Sequence, residues 1–359
     1  MACTLAENDI FPRRADGRMQ GMKEDSISLR REILCGIRGG EPLDFGVMAG
    51  RLHAFQFRNN APYRLFCGQG GVGEHVDSWR KIPGVPQEAF KHAELRAFPA
   101  EQTIKTFRTS GTTGEGFGRH HFRSLELYEA AVREGWRRAG MPPGPFLVIA
   151  PHPDEAPHSS LSHMLATLAP RECFIAPGGV MDPGRLESAR APVCLLGTAL
   201  GFLRLFERMD AENLRLVLPA GSTAMETGGY KGSGRDVSRA ELYDMFAMRL
   251  GIGGDDIFNE YGMTELSSQF YARGPRGLHR GPFWARAVVA DPVTLDEVAE
   301  GETGILLVYD LANMDSVVCI RTRDLAIRRG DAFELLGRDP AALPRGCSRA
   351  ADEWLARES

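Results

Sequence analysis

The chain has 359 residues, of which 43% are hydrophobic and 25% charged, and its formal net charge is -4. The length fits two or three coupled subdomains. The composition is that of an ordinary globular protein and excludes the fibrous and disordered classes. The slight acidity argues against a nucleic-acid partner and against recruitment to anionic membranes. Seven scattered cysteines without a C-x-x-C pair indicate a reducing compartment. Because we find neither a signal peptide nor an apolar stretch long enough to span a bilayer, we expect a cytoplasmic protein.

The predicted elements change character twice along the chain. Residues 1–102 predict helices joined by Gly- and Pro-rich turns, among them a helix over residues 45–57. From about residue 103 strands alternate with helices, which predicts an α/β fold with a largely parallel sheet as its core. From about residue 283 strands dominate, and we expect a smaller β-rich subdomain packed on that core. The predicted division is therefore 1–102, 103–282 and 283–338, followed by a tail over 339–359.

Apolar periodicity and turn residues predict the individual elements. Ser238 precedes Glu241 by three residues, which is the spacing of a helix capping box. In the core, strands are predicted over 103–107, 146–150, 193–196 and 214–218, and helices over 124–139, 159–168 and 238–250. In the β-rich part, strands are predicted over 286–289, 304–309, 317–321 and 333–336.

Two short loops carry the residue types that chemistry needs, and the first directly follows a predicted strand. Its hydroxyls and backbone N–H groups suit phosphate oxygens, although no Gly-Lys-Ser/Thr follows as a Walker A loop requires. Taken alone, it fits a polar surface turn better. The loop reads Thr109-Ser110-Gly111-Thr112-Thr113-Gly114.

The second loop, residues 258–265, reads Phe-Asn-Glu-Tyr-Gly-Met-Thr-Glu and also follows a predicted strand. It offers an aromatic ring, a hydroxyl and carboxylates in one short turn. These groups suit base stacking, a phosphate contact and a Mg²⁺ ligand, respectively. Taken alone, this loop fits a solvated turn.

Together, about 150 residues apart, the two loops resemble the adenylate-forming superfamily of acyl-CoA synthetases, firefly-type luciferases and peptide-synthetase adenylation domains. Two further matches follow in order: the segment 321–324, whose Asp324 fits the aspartate that holds the ribose hydroxyls, and the segment 336–338, which ends in Arg338. The resemblance implies the fold of the large N-terminal adenylation domain, ATP and Mg²⁺ as cofactors, and a carboxylic acid as substrate.

The same resemblance implies the site residues. Glu265 would bind Mg²⁺ beside Thr264, and in relatives the glycine-rich segment 228–232 wraps the adenine. Lys231 is a candidate to balance phosphate or carboxylate charge, with a solvated turn lysine as the alternative. The residues implied for ATP or AMP are the six of the first loop, Gly228, Gly229, Tyr261, Gly262, Asp324 and Arg338.

Five segments over most of the chain narrow the resemblance: 153–162, 226–232, 238–243, 336–338 and 345–348. They are similar to the acyl-protein synthetases, the synthetase component of the bacterial-luminescence fatty acid reductase complex. Only the tail 339–359 follows the last motif and no lysine follows Lys231, so we expect the mobile lysine-bearing domain of full-length relatives to be absent. In that family a cysteine near the C-terminus accepts the acyl group and passes it to a reductase, and Cys347 matches it.

Several candidate side chains keep an alternative interpretation. Arg345 and Arg349 flank Cys347 and would favour its thiolate. The alternative is that Cys347 is an incidental surface thiol without a role in acyl transfer. His158 resembles the residue that gates the acyl pocket in relatives, and a capping role fits equally. Many relatives carry a lysine after the first loop that is missing here, and Arg119, His120 and His121 are candidates to replace its charge. Of the adjacent His120 and His121, at most one can face the site, because neighbouring strand residues face opposite ways.

The sequence thus predicts that a carboxylic acid, in this family a fatty acid, is activated as acyl-AMP and transferred to Cys347 as a thioester. A partner similar to an acyl-CoA reductase would then receive the acyl group. Two alternatives stay open: a ligase that uses an external thiol of CoA or a carrier protein, and a non-catalytic nucleotide-binding subunit.

Overall fold

The computed structural model describes residues 17–39, 43–109, 117–176, 182–228 and 237–338, with the backbone alone at 17–25 and 338. Within these residues the helices are α1 (Gly17–Ile37), α2 (Phe45–Asn59), α3 (Ala61–Gln69), α4 (Ala89–His92), α5 (Glu126–Arg138), α6 (Ser160–Leu168), α7 (Gly184–Glu187), α8 (Ala199–Ala211) and α9 (Arg239–Leu250). The strands there are β1 (Val85–Pro86), β2 (Lys105–Arg108), β3 (Arg119–Phe122), β4 (Phe146–Ile149), β5 (Cys194–Thr198), β6 (Thr223–Thr227), β7 (Ile257–Tyr261), β8 (Phe270–Arg273), β9 (Ala285–Ala290), β10 (Thr303–Asp310), β11 (Cys319–Arg329) and β12 (Ala332–Arg338).

The central sheet has the strand order β4-β5-β6-β7-β8, in which the first four strands run parallel and β8 returns antiparallel to β7. One face is covered by α8 and α9 through an apolar core that includes Phe202 and Phe246. The other face is covered by α5 and α6 through a core that includes Val132 and Leu165. Because both faces are buried, β4 and the first residues of β5 read as apolar runs, whereas β6 and β7 also contain buried polar residues. The predicted α/β fold with a parallel-sheet core is confirmed.

A second sheet has the order β1-β11-β10-β9, with β12 beside β11. It is antiparallel apart from the β1–β11 pair. The sheet and the N-terminal helices bury one shared apolar core, to which Ile33, Leu52, Trp284 and Tyr309 belong. The chain division at residues 102, 282 and 338 stays a prediction.

Local side-chain chemistry sets the start of two helices near the carboxyl ends of the parallel strands. Ser238 accepts from the Glu241 amide at 3.2 Å, and the Glu241 carboxylate accepts from the Ser238 amide at 2.7 Å. The predicted capping box of α9 is therefore confirmed. Ser159 caps α6 by accepting from the Ser162 amide at 3.0 Å, which leaves His158 in the turn just before that helix. None of the described helices is long and apolar enough to cross a membrane.

Two predicted elements are wrong. Residues 214–218 form no strand: the Leu218 amide donates to the Leu250 carbonyl at the end of α9 instead of joining the sheet. Leu214 and Leu216 nevertheless pack on the core, and this alternation produced the strand-like pattern. The strand that lies between β5 and β7 in the sheet is β6, which comes later in the chain and ends directly before Gly228. The second error concerns the predicted loop 258–265, whose first four residues belong to β7.

Candidate active site

The candidate site is built on the carboxyl ends of β6 and β7, the edge of a parallel sheet where ligands bind in open α/β folds. The two strands are in register, with Thr227 opposite Glu260. The chain therefore leaves β6 at Gly228 beside the point where it leaves β7 at Tyr261 and Gly262. Gly228 has φ of +84°, a conformation that other residues rarely adopt. The structure thus places Gly228, the first residue of the segment 228–232, beside the end of β7.

A hydrogen bond connects the second loop to the other sheet. The Tyr261 hydroxyl donates to the Asp324 carboxylate over 2.9 Å, so the end of β7 meets β11. The Asp324 amide donates to the Thr322 hydroxyl at 3.1 Å, and Asp324 is paired in register with Arg338 on β12. Three separate sequence motifs therefore converge on one surface.

Thr264 and Glu265 are held by contacts from three directions. The Thr264 hydroxyl lies 3.3 Å from that of Ser160, the first residue of α6. His120 of β3 donates from Nδ1 to the Thr264 carbonyl at 2.9 Å. The Asn313 amide group donates to the Glu265 carbonyl at 2.8 Å, and the Glu265 side chain is buried. The backbone of this turn is therefore fixed before any ligand binds.

The two adjacent histidines of β3 face opposite ways, as strand alternation requires. His120 is directed to Thr264, and burial lowers its pKa to about 4. It is therefore neutral near pH 7 and donates through Nδ1. His121 instead contacts Thr106 at 3.0 Å and Glu94 at 3.0 Å, away from Thr264. Sequence reasoning offered both histidines as charge substitutes, and a neutral, buried His120 is unsuited to that role.

Thr109 and His158 both lie next to β2. The Thr109 amide donates to the Gly118 carbonyl at 3.0 Å, and the Gly118 amide donates back to the Thr109 hydroxyl at 2.8 Å. This pair of hydrogen bonds joins the chain before and after residues 110–116, which lie outside the described residues. His158 lies against β2, where its Nδ1 donates to the Thr106 carbonyl at 3.1 Å and its own carbonyl accepts from Arg108 at 2.9 Å. These bonds fix the ring against β2, and both a gating and a capping role remain predictions.

Eight predicted site residues lie outside the described residues, so their roles stay predictions: Ser110, Gly111, Thr112, Thr113, Gly114, Gly229, Lys231 and Cys347. The structure describes only the backbone of Arg338, through its strand pairing, and the role of its side chain also stays a prediction.

Sequence reasoning missed two buried carboxyl groups beside the site. Glu226 accepts from the Asn259 side chain at 2.6 Å and from the Tyr243 hydroxyl at 3.3 Å, and burial raises its pKa to about 7. Glu260 accepts from the Thr227 hydroxyl, and burial, with a smaller effect of Glu226, raises its pKa to about 7. The sequence signal that could have identified both residues is a glutamate within a buried strand, because burying an unpaired charge is costly.

No family model matches the chain. It is 24% identical over 324 residues to the long-chain-fatty-acid–luciferin-component ligase of Aliivibrio fischeri, covering 82% of this chain and 84% of that protein. It is 21% identical over 362 residues to the Vibrio harveyi protein of the same name, covering 92% and 95%. Among solved structures, 2-hydroxyisobutyryl-CoA ligase in an open conformation with its adenylate and CoA superposes with a TM-score of 0.60 at 15% identity, over 83% of this chain and 75% of that one. The same enzyme in its thioesterification state gives 0.60 at 16% identity, over 92% and 73%.

Proposed function

Because the chain is a ligase with the fold of the adenylate-forming enzymes and a homologue of the luciferin-component ligases, we propose that it uses ATP to activate a carboxylic acid and then takes the acyl group onto Cys347. Fatty acids are the proposed substrate class, because both curated relatives are named for long-chain fatty acids. The observation that carries the proposal is the Tyr261–Asp324 contact, which supports one nucleotide site assembled from separate motifs.

In the proposed site the nucleotide lies across the Tyr261–Asp324 pair. The Tyr261 ring offers a face for the adenine base, and the Asp324 carboxylate offers acceptors for the ribose hydroxyls. Gly228 leaves room at the end of β6 for the base, because no atom of the described residues beyond its chain neighbours lies within 4 Å of a Cβ atom built there. Backbone N–H groups of the loop that Thr109 closes would surround the phosphates, because consecutive amides form an anion-binding concavity.

The first half-reaction is an in-line displacement at the α-phosphorus of ATP. A carboxylate oxygen of the acid forms the new P–O bond while the bond to the pyrophosphate oxygen breaks. Catalysis of this kind consists mostly of positioning and charge neutralisation. The Thr264 hydroxyl, which contacts that of Ser160, is proposed to donate to a phosphate, and Lys231 is proposed to add a positive charge. His158, in the turn before α6, is proposed to line the entrance for the acid.

Magnesium fits the donor set of this chain. Mg²⁺ takes oxygen ligands, usually one or two carboxylates together with phosphate oxygens and water. Glu265, the residue after Thr264, supplies a buried carboxylate, and the part of the chain that the structure describes contains no cluster of three metal-ligating side chains. The remaining ligands would come from ATP and water. When bound, the ion would neutralise charge that develops on the phosphates.

In the second half-reaction the Cys347 thiolate attacks the carbonyl carbon of the mixed anhydride. A C–S bond forms, the C–O bond to AMP breaks, and AMP leaves with that oxygen. The thioester retains much of the acyl-transfer free energy of the acyl-adenylate, so the acyl group can be transferred to a partner similar to an acyl-CoA reductase. The need for ATP and a free thiol supports the cytoplasm as the location.

The test is incubation of the full chain with ATP, Mg²⁺ and a labelled fatty acid. The proposal predicts released pyrophosphate together with hydroxylamine-labile label on the protein. Label that appears only on added CoA or carrier protein would make the chain an external-thiol ligase. If neither pyrophosphate nor thioester forms with any acid, the chain is a non-catalytic subunit.

A further inference from the structure

A strip of buried polar side chains crosses the carboxyl end of the central sheet. Strand register places Thr227 opposite Glu260 and Glu260 opposite Tyr271, and Gln269 lies two residues before Tyr271. Because side chains alternate along a strand, Thr227, Glu260 and Tyr271 face the same side of the sheet, the side that α5 and α6 cover. Gln269 precedes the first residue of β8, and its side chain and the Glu260 carboxyl both lie next to Gly262. One step deeper on this face the sheet is apolar, as Phe258 illustrates. We call these four residues the polar strip.

Two members of the polar strip end in atoms without a hydrogen-bond partner anywhere in the described parts of the chain: the Tyr271 hydroxyl and the Gln269 carbonyl oxygen. Tyr271 is 6% exposed and Gln269 5% exposed. Native proteins rarely leave buried polar atoms unpaired, and a ligand atom or an ordered water usually completes them. Glu260 adds a carboxyl group whose pKa burial raises to about 7, so near neutrality a large share of it is protonated and can donate as well as accept.

The polar strip borders the proposed adenylation site. A Cβ atom added at Gly262 would collide with the Glu260 carboxyl and lie 3.7 Å from the Gln269 side chain, so both side chains lie against Gly262. Tyr128 of α5 lies within electrostatic range of both Glu260 and Tyr271. Its hydroxyl donates to the Ser160 carbonyl at 3.0 Å. The strip is therefore one side chain away from Ser160, whose hydroxyl contacts Thr264.

We propose that the polar strip binds the acyl part of the substrate, and that the preferred acid carries a hydroxyl group on its chain rather than being a plain alkanoic acid. This inference rests on the proposed function. A hydroxyl can donate to the Gln269 oxygen or accept from the Tyr271 hydroxyl. A methylene group at the same place would leave both atoms unpaired. A site built to hydrogen-bond a substrate hydroxyl discriminates strongly against the analogue that lacks it.

The test is acid-dependent ATP–pyrophosphate exchange, which reports adenylation and needs no acceptor cysteine. The full chain is assayed with decanoate and with its 2-, 3- and 10-hydroxy derivatives. The inference predicts that one hydroxy derivative exceeds decanoate in kcat/KM by about tenfold or more, as expected for one completed hydrogen bond. Tyr271→Phe and Gln269→Met should each reduce that ratio. Tyr243→Phe, a buried tyrosine on the opposite face of the sheet, should leave the ratio unchanged.

The two possible failures are distinguishable. Exchange with decanoate at least equal to exchange with every hydroxy derivative would overturn the inference, and water alone would then complete the polar strip, while the proposed function would stand. No exchange with any acid would overturn the proposed function, and the inference with it. The wild-type comparison decides the outcome even if a variant does not fold.

Discussion

Tyr261 and Asp324 are joined by a hydrogen bond of 2.9 Å although 63 residues separate them in the chain. Tyr261 ends a strand of the parallel sheet, and Asp324 belongs to the antiparallel sheet. The bond therefore fixes the position of a carboxylate from one sheet relative to an aromatic ring from the other. A nucleotide bound across this junction would contact both sheets.

Removing the Asp324 carboxylate should weaken ATP binding. Asp324→Ala deletes the proposed ribose acceptor, and because this contact acts in the ground and transition states alike, KM for ATP should rise by about tenfold or more with a smaller change in kcat. Tyr261→Phe keeps the ring and the carboxylate and removes only the connecting hydroxyl, so its effect should be smaller. Asp331→Ala, at an exposed turn of the same sheet, is the control. An unchanged KM for ATP in Asp324→Ala would remove this residue from the site.

Replacing Glu265 should abolish adenylation at limiting Mg²⁺. Glu265→Gln keeps the size of the side chain and removes the anionic ligand, so pyrophosphate release should fall by about 100-fold or more. Glu302→Gln, which changes an exposed carboxylate, should leave the rate unchanged. Titration of Mg²⁺ with both variants provides the measurement. Wild-type pyrophosphate release by Glu265→Gln at limiting Mg²⁺ means that another group binds the metal.

His120 should act by positioning the second loop. His120→Leu removes the donor to the Thr264 carbonyl, and a lost buried hydrogen bond costs about 1–3 kcal/mol. We expect kcat for adenylation to fall about tenfold with a smaller change in KM for ATP. His121→Leu, on the other side of β3, is the matched control and should retain wild-type kcat. Equal losses of kcat in the two variants would assign both effects to general destabilisation.

Glu226 should make folding stability depend on pH. Its pKa is raised to about 7 in the folded chain, whereas an unfolded glutamate titrates near 4.3. Between these values the folded state binds more protons, so this group's contribution to the free energy of unfolding is complete below about 4.3 and is lost as pH rises through about 7. Glu226→Gln removes this contribution and keeps acceptors for Asn259 and Tyr243.

Urea denaturation of wild type and Glu226→Gln at pH 5, 6 and 7 measures this effect. Buried His120 and His279, whose pKa values burial lowers to about 4, have the opposite pH dependence. The informative quantity is therefore the difference between the two proteins. Relative to wild type, the variant should gain stability as pH rises, by up to about 1.4 kcal/mol per pH unit. A constant difference across this range means that Glu226 is ionised throughout in the folded chain.

Local sequence chemistry predicted the elements that depend on neighbouring residues, such as α9 with its Ser238–Glu241 capping box. The fold followed from alternation of strands and helices, and the motifs indicated which strand ends matter. Residues 214–218 were misassigned because alternating burial arises in an extended connector as well as in a strand. The partners of Tyr261 and His120 could not be predicted, because side-chain contacts between distant segments depend on how the two sheets pack.

The acceptor cysteine is the central claim, and Cys347→Ser tests it most directly. A tethered thiol has a high effective concentration at the adenylate, whereas serine is nearly isosteric but not ionised near neutral pH, so acyl transfer should nearly stop. Cys35→Ser, which changes an exposed cysteine, should behave as wild type. The measurement is mass spectrometry of enzyme-bound acyl-AMP together with hydroxylamine-labile label on the protein. The account predicts that Cys347→Ser accumulates acyl-AMP and carries no labile label. A labile thioester on this variant, or a wild type that never carries one while CoA becomes acylated, would contradict it.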